Sequence, residues 1–244
     1  RPTRPISTID LDEDIKKALV EDVERYLSPE RAQWYANRGI PYRRGYLFHG
    51  PPGTGKSSMS LALAGLFNKD LYMLSLSDVE SESDLKDLLD TVKQTHSIVL
   101  LEDIDSARIG RENMTKKKEE EEEAHKKGGI SLSGLLNAID GPNALDGTVL
   151  IMTTNNPETL DKALIRNGRI DMQVYFGPVS QVVAESIFLR MFQKENDKEP
   201  NEAVDENIAH LAQQFSLQIP DRSLTPAEVQ GFLMTQNTPE QAIE

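Results

Sequence analysis

The pattern of apolar and polar positions divides the chain into parts with different periods. Up to about residue 177, short, mainly apolar runs alternate with stretches of helical spacing. The runs are residues 46–49, 71–76, 98–101 and 149–153, of which 98–101 is apolar throughout. Short continuous apolar runs are typical of parallel strands that are buried on both faces. From residue 178 onward only helical spacing remains. The pattern predicts an α/β fold followed by a small all-helical domain.

One stretch between the first apolar run and the next helix matches the phosphate-binding pattern G-x-x-x-x-G-K-[ST]. It consists of Gly50, Pro51, Pro52, Gly53, Thr54, Gly55, Lys56 and Ser57. Glycines let several backbone N–H groups point at one anion, the lysine supplies charge for the β- and γ-phosphates, and the serine hydroxyl is a Mg²⁺ ligand. The predicted helix over residues 57–67 starts at this loop and so directs its N-terminus at the phosphates. We expect this stretch, with Ser58 after it, to bind a nucleoside triphosphate.

Polar side chains follow two of the predicted strands. Glu102 and Asp103 end the run that begins at Ile98, and Asn155 follows the run at 149–153. The carboxyl ends of parallel strands face the same ligand crevice as the phosphate loop. One carboxylate there is suited to holding Mg²⁺ and the other to polarising the attacking water, and an amide beside them is suited to orienting that water.

Residues 1–45 lead into the first strand. Helical spacing begins at Leu11, and Ser28 and Pro29 predict the start of a second helix, with the serine as its cap and Gly39 as its end. The segment is either a packing arm or, around Ile40, part of the pocket for the nucleoside base. The spacing alone leaves both interpretations open.

Two arginines three residues apart, Arg166 and Arg169, lie shortly before the helical part. They are either ordinary surface charges or arginine fingers, which stabilise the charge on a transferring phosphoryl group.

Composition narrows the class of protein. The net charge of −13 argues against a nucleic-acid surface, which normally needs a basic stripe. The absence of cysteine excludes disulfides, thiolate zinc sites and a cysteine nucleophile, and no apolar run approaches the length of a membrane span. Because the chain begins at Arg1 rather than at methionine, we expect it to be part of a longer protein.

A low-complexity segment covers residues 111–127. Between residues 116 and 127, five lysines and five glutamates cancel in charge. We interpret it as a solvated loop or charged helix inserted between core elements, with a regulatory or client-contacting role as the alternative.

Taken together and in this order, these motifs resemble those of AAA ATPases, over essentially all 244 residues. Five stretches resemble the Bcs type in particular, the mitochondrial inner-membrane chaperones of respiratory complex III assembly. They are residues 39–47 (GIPYRRGYL), 101–105 (LEDID), 133–141 (SGLLNAIDG), 153–161 (TTNNPETLD) and 225–231 (TPAEVQG).

The resemblance implies a P-loop AAA core with a five-stranded parallel sheet flanked by helices, followed by a helical lid. It places an N-terminal arm at residues 1–45, the large nucleotide-binding subdomain at 46–177 and the lid at 178–244. It also implies Mg²⁺-dependent hydrolysis of ATP to ADP and phosphate.

The resemblance also assigns roles by position. Lys56 and Ser57 are the Walker A residues, Glu102 and Asp103 are Walker B, Asn155 is the first sensor, and Arg166 and Arg169 are the finger pair. The common AAA order of the two acids is Asp then Glu, and this chain has the reverse. By position, Glu102 therefore shares the metal with Ser57, and Asp103 takes the catalytic place.

For the whole protein, the resemblance implies a homo-oligomeric ring of seven subunits, a membrane anchor upstream of this chain, and a place at the mitochondrial inner membrane with the AAA domain facing the matrix. The implied client is the Rieske iron–sulfur protein, translocated already folded, and no nucleic acid is involved. The alternatives are a Bcs-like paralogue with another protein client, a nucleic-acid motor, and a scaffold that binds ATP without hydrolysing it. The loop at residues 75–84 has four acids and no aromatic residue, which favours handling of a folded client over threading of an extended one.

Overall fold

The computed structural model of the chain describes residues 4–79, 81–92, 97–105, 131–140, 146–193 and 206–243. The charged segment predicted at 111–127 lies outside the described residues. Two compact units contain the described parts of the chain. We call them the α/β unit (residues 4–6, Ala18–Gly50 and the described part of Lys56–Tyr175) and the helical unit (Ser7–Lys17, Pro51–Gly55 and the described part of Phe176–Glu244).

Five strands form the sheet of the α/β unit. They are β1 (Arg44–His49), β2 (Leu71–Ser75), β3 (Ile98–Glu102), β4 (Val149–Thr154) and β5 (Met172–Tyr175). Their order is β2-β3-β4-β1-β5, and every neighbouring pair is parallel. The predicted five-stranded parallel sheet is therefore confirmed.

Eight α-helices occur among the described residues. They are α1 (Glu13–Leu27), α2 (Pro29–Ala36), α3 (Lys56–Leu66), α4 (Glu82–Val92), α5 (Leu132–Asp140), α6 (Gln181–Phe192), α7 (Glu206–Gln218) and α8 (Pro226–Leu233). None of these helices is both long enough and apolar enough to cross a membrane.

The central strands are buried because apolar side chains cover both faces of the sheet. Alternate residues such as Leu47, Leu101 and Met152 belong to one core cluster that also contains Leu85 of α4 and Leu135 of α5. The intervening residues point to the other face. Full burial explains why these strands appear in the sequence as continuous apolar runs.

The start of α2 corrects one detail of the sequence interpretation. Pro29 occupies its first turn as predicted, but the Ser28 side chain makes no capping bond. Instead its hydroxyl donates a hydrogen bond to the carbonyl of Arg25 (3.0 Å) at the end of α1. Gly39 adopts a φ of 62°, the left-handed conformation that suits the residue after a helix.

The helical unit has its own apolar core and its own ionic contacts. Its core cluster includes Phe188 and Phe215, whose ring centroids lie 5.1 Å apart. Asp10 receives two hydrogen bonds from Arg190, at 2.7 and 2.8 Å. At α8, Thr225 and Glu228 form a reciprocal capping box.

Candidate nucleotide site

The phosphate loop follows the carboxyl end of β1. Its three glycines, Gly50, Gly53 and Gly55, have φ values of 138°, 77° and 95°. These values lie in the region that residues with a Cβ rarely adopt, so the motif needs glycine at each position. The Gly50 amide donates a hydrogen bond to the carbonyl of Thr154 (3.3 Å), which fastens the start of the loop to the end of β4.

Lys56 begins α3 and is buried. Its ammonium group donates hydrogen bonds to the carbonyl oxygen of Gly50 (2.7 Å) and to Oδ1 of Asn155 (2.8 Å). Burial lowers the pKa of Lys56, and the carboxylates of Asp103 and Asp105 oppose this shift. Lys56 thus places a positive charge at the N-terminus of α3, where the helix dipole also favours an anion.

Ser57 and Glu102 form the part of the site that suits a metal. The Ser57 hydroxyl donates a hydrogen bond of 2.5 Å to the Glu102 carboxylate. A hydroxyl and a carboxylate oxygen are the ligand types that Mg²⁺ takes, and it binds proteins through one or two such groups together with substrate phosphates. The residues present therefore fit a Mg²⁺ ion that accompanies a nucleotide.

Asp103 has an unusual backbone conformation. Its φ is 46°, in the left-handed region that few residues other than glycine adopt, and its amide donates to the hydroxyl of Thr153 (3.0 Å). The side-chain amide of Asn155 donates to Asp103 Oδ1 at 3.5 Å. The turn that ends β3 thus directs consecutive carboxylates to different partners, Glu102 to Ser57 and Asp103 to Asn155.

The predicted residues of the α/β unit that meet at this edge of the sheet are Gly50, Lys56, Ser57, Glu102, Asp103 and Asn155. The sequence interpretation missed Asp105, whose carboxylate accepts a bond from the Asn155 amide at 3.4 Å. The spacing of Asp103 and Asp105 was the available signal, but strand β3 ends before both, so periodicity could not show that they share a partner.

The middle of the phosphate loop, Pro51–Gly55, belongs to the helical unit. There the carbonyl of Gly53 accepts a hydrogen bond from the Ala227 amide (3.2 Å) in the first turn of α8. A Cβ on residue 53 would lie 3.1 Å from the Cβ of Ala227. The Thr54 hydroxyl closes the turn by donating to the carbonyl of Pro51 (2.8 Å).

Ile40 lies at the other end of β1 from the loop. Because β1 begins at Arg44 and has six residues, the amino end that Ile40 precedes is about 20 Å from the carboxyl end. Ile40 lines an open cavity of about 500 Å³ with Trp34 and Tyr35, and none of the cavity's residues belongs to the phosphate loop or the acid pair. The cavity does not bring Ile40 together with Lys56, Ser57 or the acid pair, and a place for Ile40 in the base pocket stays a prediction.

The two candidate finger arginines differ in their surroundings. Arg166 is exposed. The Arg169 guanidinium, by contrast, donates to the carbonyl of Ala163 (2.6 Å) and to Asp140, with which it forms an ion pair at 3.1 Å. Arg169 therefore fixes the fold of its own segment, and Arg166 presents its charge to solvent.

Comparison with known proteins decides the family. The model of the ATPase family associated with various cellular activities (AAA) matches residues 46–178. The chain belongs to the AAA family. Within this AAA protein, residues 181–244 match a second model, described as the mitochondrial chaperone BCS1-like ATPase lid domain.

Curated relatives point to the same branch of the AAA family. The chain is 38% identical to the mitochondrial chaperone BCS1 of Bos taurus and 37% identical to that of Homo sapiens, in each case over all of this chain and 55% of the relative. It is 40% identical to the probable mitochondrial chaperone BCS1-A of Dictyostelium discoideum, with the same coverage. The chain thus spans about half the length of these relatives.

Proposed function

We propose that this AAA chain binds Mg²⁺ and ATP and hydrolyses ATP to ADP and phosphate. The observation that carries the proposal is the juxtaposition at one edge of the sheet. The Ser57 hydroxyl and Glu102 carboxylate, 2.5 Å apart, lie beside Lys56, which bonds to Asn155, which in turn bonds to Asp103. These are the cation, metal ligands, base and water-orienting amide that phosphoryl transfer to water requires.

Each side chain has a separate task in this proposal. Lys56 neutralises the β- and γ-phosphates, and Ser57 and Glu102 hold Mg²⁺, which supplies charge stabilisation at the phosphates. Asp103 accepts a proton from the attacking water, and Asn155 orients that water. The left-handed backbone of Asp103 supports its catalytic role, because strained conformations persist chiefly where function requires the side-chain direction they provide.

We further propose that the finger acts on the nucleotide of a neighbouring subunit. The finger segment is fastened to the amino end of β1, since the Asp171 amide donates to the carbonyl of Gly45 (2.8 Å) and its carboxylate accepts from the Gly45 amide (2.9 Å). The chain's own phosphate loop follows the opposite end of that strand, about 20 Å away. Arg166 is therefore poorly placed for its own nucleotide and exposed for a neighbour's, as a ring of AAA subunits requires.

A complementation experiment tests both proposals. Arg166→Ala keeps the nucleotide site but lacks the finger, and Lys56→Met keeps the finger but lacks the phosphate cation. We expect each variant alone to lose ATPase activity, Arg166→Ala by about 10³-fold or more. Mixed subunits regain activity because one supplies the finger and the other the site. Arg38→Ala, which removes an exposed arginine that stacks on Trp34, is the control.

A mixture that stays inactive, or a verified dilute monomer that hydrolyses ATP at the full assembled rate, would contradict action between subunits. Failure of the wild-type protein to release phosphate would contradict ATP hydrolysis itself.

We propose that the protein uses ATP hydrolysis to remodel or translocate a folded protein client. The relatives are named mitochondrial chaperones, and the resemblance implies the Rieske iron–sulfur protein, moved across the inner membrane by a seven-membered ring whose AAA domains face the matrix. The loop after β2 supports handling of a folded client. Its apolar residues Leu76 and Val79 are buried in the core, and its exposed described residues include Asp78 and Glu82. Gripping an extended chain needs apolar surface, which these residues do not offer.

A fusion of the client to a tightly folded, spectroscopically visible domain tests this part of the proposal. We expect the client to be moved with the fused domain still folded while ATP is consumed. ATP-dependent unfolding of the fused domain would show instead that the ring threads its client.

A further inference from the structure

The cavity lined by Ile40 has no task in the proposed hydrolysis of ATP. It has a volume of about 500 Å³ and lies within the α/β unit, at the amino end of β1. Its walls come from α2, from the residues around the start of β1, from the end of α5 and from the finger segment, residues 166–171. An occupant of this cavity therefore leaves the phosphate loop free for a nucleotide.

The two carboxylates in the cavity wall are already paired with arginines of the same chain. Asp140 forms ion pairs with Arg43 (2.8 Å) and Arg169 (3.1 Å). The carboxylate of Asp171 lies 3.9 Å from the guanidinium of Arg44 and accepts a hydrogen bond from a backbone amide of β1. Two of the three arginines that line the cavity are thus neutralised within the chain.

The third lining arginine, Arg31 of α2, has a different kind of contact. Its guanidinium carbon lies 4.0 Å from the ring centroid of Trp34 and 5.3 Å from that of Tyr35. Within the part of the chain that the structure describes, no carboxylate bonds to its side chain. Contact with the face of a ring attracts the cation but takes up none of its N–H donors. Arg31 is half-buried, so these donors are held at the cavity for an anion.

Apolar side chains in the wall narrow the class of ligand. They belong to Trp34, Tyr35, Ile40 and Pro41, and Ile40 is 45% exposed. A guanidinium can bind a carboxylate through two parallel hydrogen bonds, and the apolar wall favours an apolar group beside that anion. The volume exceeds that of a single ion and is typical of pockets for organic ligands. The cavity therefore suits a carboxylate side chain with apolar groups next to it.

The finger segment indicates which molecule supplies this side chain. Arg166 is exposed together with Asn167 and Gly168, and the latter two line the cavity. A neighbour whose nucleotide meets Arg166, as proposed above, consequently lies against the rim of the cavity. A second copy of the chain also has the required charge, since its 40 acidic residues outnumber its 27 lysines and arginines.

We propose that the cavity receives an acidic side chain of a neighbouring copy of the chain, which pairs with Arg31 and covers Trp34. The inference rests on the proposed action of the finger between subunits, because it needs that neighbour. Complementary charge at such a contact fixes the register of the two copies. The alternative is that the cavity stays exposed to solvent after the copies assemble.

Trp34 is the single tryptophan of the chain, so tryptophan fluorescence reports on this cavity. The measurement is quenching by acrylamide, a neutral molecule, over a range of protein concentrations with Mg·ATP, while light scattering follows assembly. We expect quenching to fall in parallel with assembly. Quenching in the assembled protein as strong as in the dilute monomer would overturn the inference.

Two matched arginines extend the test. Arg31 and Arg38 both lie over Trp34, at 4.0 and 4.1 Å from its centroid, but of the two only Arg31 lines the cavity. Arg31→Ala should raise the concentration needed for assembly by about tenfold or more, because a hydrogen bond between charged groups is lost. Arg31→Lys should restore part of this loss, and Arg38→Ala should assemble like the wild type. Wild-type assembly of folded Arg31→Ala would contradict the proposed contact.

ATP turnover separates this contact from the finger. At concentrations that assemble Arg31→Ala fully, its turnover per subunit should match the wild type, whereas Arg166→Ala should stay impaired at every concentration. If mixed subunits regain activity while Trp34 stays accessible, the proposed function stands and this inference falls. If neither assembly nor complementation occurs, the proposed action between subunits falls with it. Shielding of Trp34 only after addition of a client protein would assign the cavity to the client and overturn the inference.

Discussion

The two edges of the sheet hold their charged side chains in different ways. At the amino edge, Arg44 donates hydrogen bonds of 3.0 and 2.9 Å to the two carboxylate oxygens of Asp22, and the Tyr46 hydroxyl donates to the same carboxylate at 2.8 Å. Nearby, Arg43 and Arg169 both form ion pairs with Asp140. Each carboxylate there is bonded by several donors of its own chain.

At the carboxyl edge, a lysine and an aspartate are held in an environment or a backbone conformation that is unfavourable for them. Burial lowers the pKa of Lys56, which means that its charged form is disfavoured there, and Asp103 adopts a left-handed backbone. We interpret the charges at the amino edge as stabilising the fold and those at the carboxyl edge as belonging to the proposed nucleotide site. Substitutions at the two edges should therefore have opposite signatures in activity and stability.

The largest expected effect is on catalysis at the carboxyl edge. Asp103→Asn should slow ATP turnover by about 10²- to 10⁴-fold, because an amide cannot accept the proton of the attacking water. Binding of Mg·ATP and the free energy of unfolding should stay close to the wild type, since asparagine also tolerates a left-handed backbone. Phosphate release and calorimetry measure the two quantities. If Glu102→Gln, rather than Asp103→Asn, bound ATP normally without hydrolysing it, the roles of the two acids would be reversed.

The next effect separates binding from stability most sharply. Lys56→Met should weaken ATP binding by about a hundredfold or more, because the charge facing the phosphates is lost. Without nucleotide, the free energy of unfolding should stay the same or rise, since a buried cation whose charged form is disfavoured has been replaced by an apolar side chain. Calorimetry and urea titration provide the measurements. A clear loss of stability would show that Lys56 supports the fold and would remove the contrast between the edges.

At the amino edge, a substitution should lower the free energy of unfolding and leave turnover unchanged. Asp22→Asn should lower the free energy of unfolding by about 3 kcal/mol, because Arg44 loses its charged partner in a half-buried setting. The turnover rate per folded molecule should be unchanged. The matched control is Glu24→Gln, an exposed carboxylate on the same helix, for which urea titration should detect little change. Loss of turnover in folded Asp22→Asn protein would contradict a purely stabilising role for the amino-edge charges.

The smallest effect is a pH dependence of stability. Burial, followed by the charge of Asp22, raises the pKa of Tyr46, so the folded state keeps the phenolic proton that the unfolded chain loses near pH 10. Stability should consequently fall as pH rises above about 10, with a slope of up to about 1.4 kcal/mol per pH unit from this group. Urea titrations at several alkaline pH values should give a shallower slope for Tyr46→Phe. The control Tyr175→Phe removes a tyrosine that is 49% exposed, and equal slopes in all three proteins would contradict the prediction.

Sequence patterns, together with the family resemblance, predicted the architecture and most of the site. Short, mainly apolar runs identified β1 to β4, most clearly the central strands that are covered on both faces, whereas no such run marked β5. The glycine-rich motif identified the loop because its backbone conformations need glycine. The positions of Glu102, Asp103 and Asn155 followed from one topological rule, that carboxyl ends of parallel strands share an edge.

Which charged groups meet could be seen only in the folded chain. Periodicity places residues on a face or at a strand end, but a side-chain contact between distant segments depends on packing that no local pattern encodes. Arg4 and Ser58 are 54 positions apart and Asp105 and Asn155 are 50 apart, so neither contact could be read from spacing. The two candidate finger arginines differ for the same reason. They lie on either side of Gly168, but Asp140 is within reach of Arg169 and ties its guanidinium to the fold, while Arg166 remains exposed.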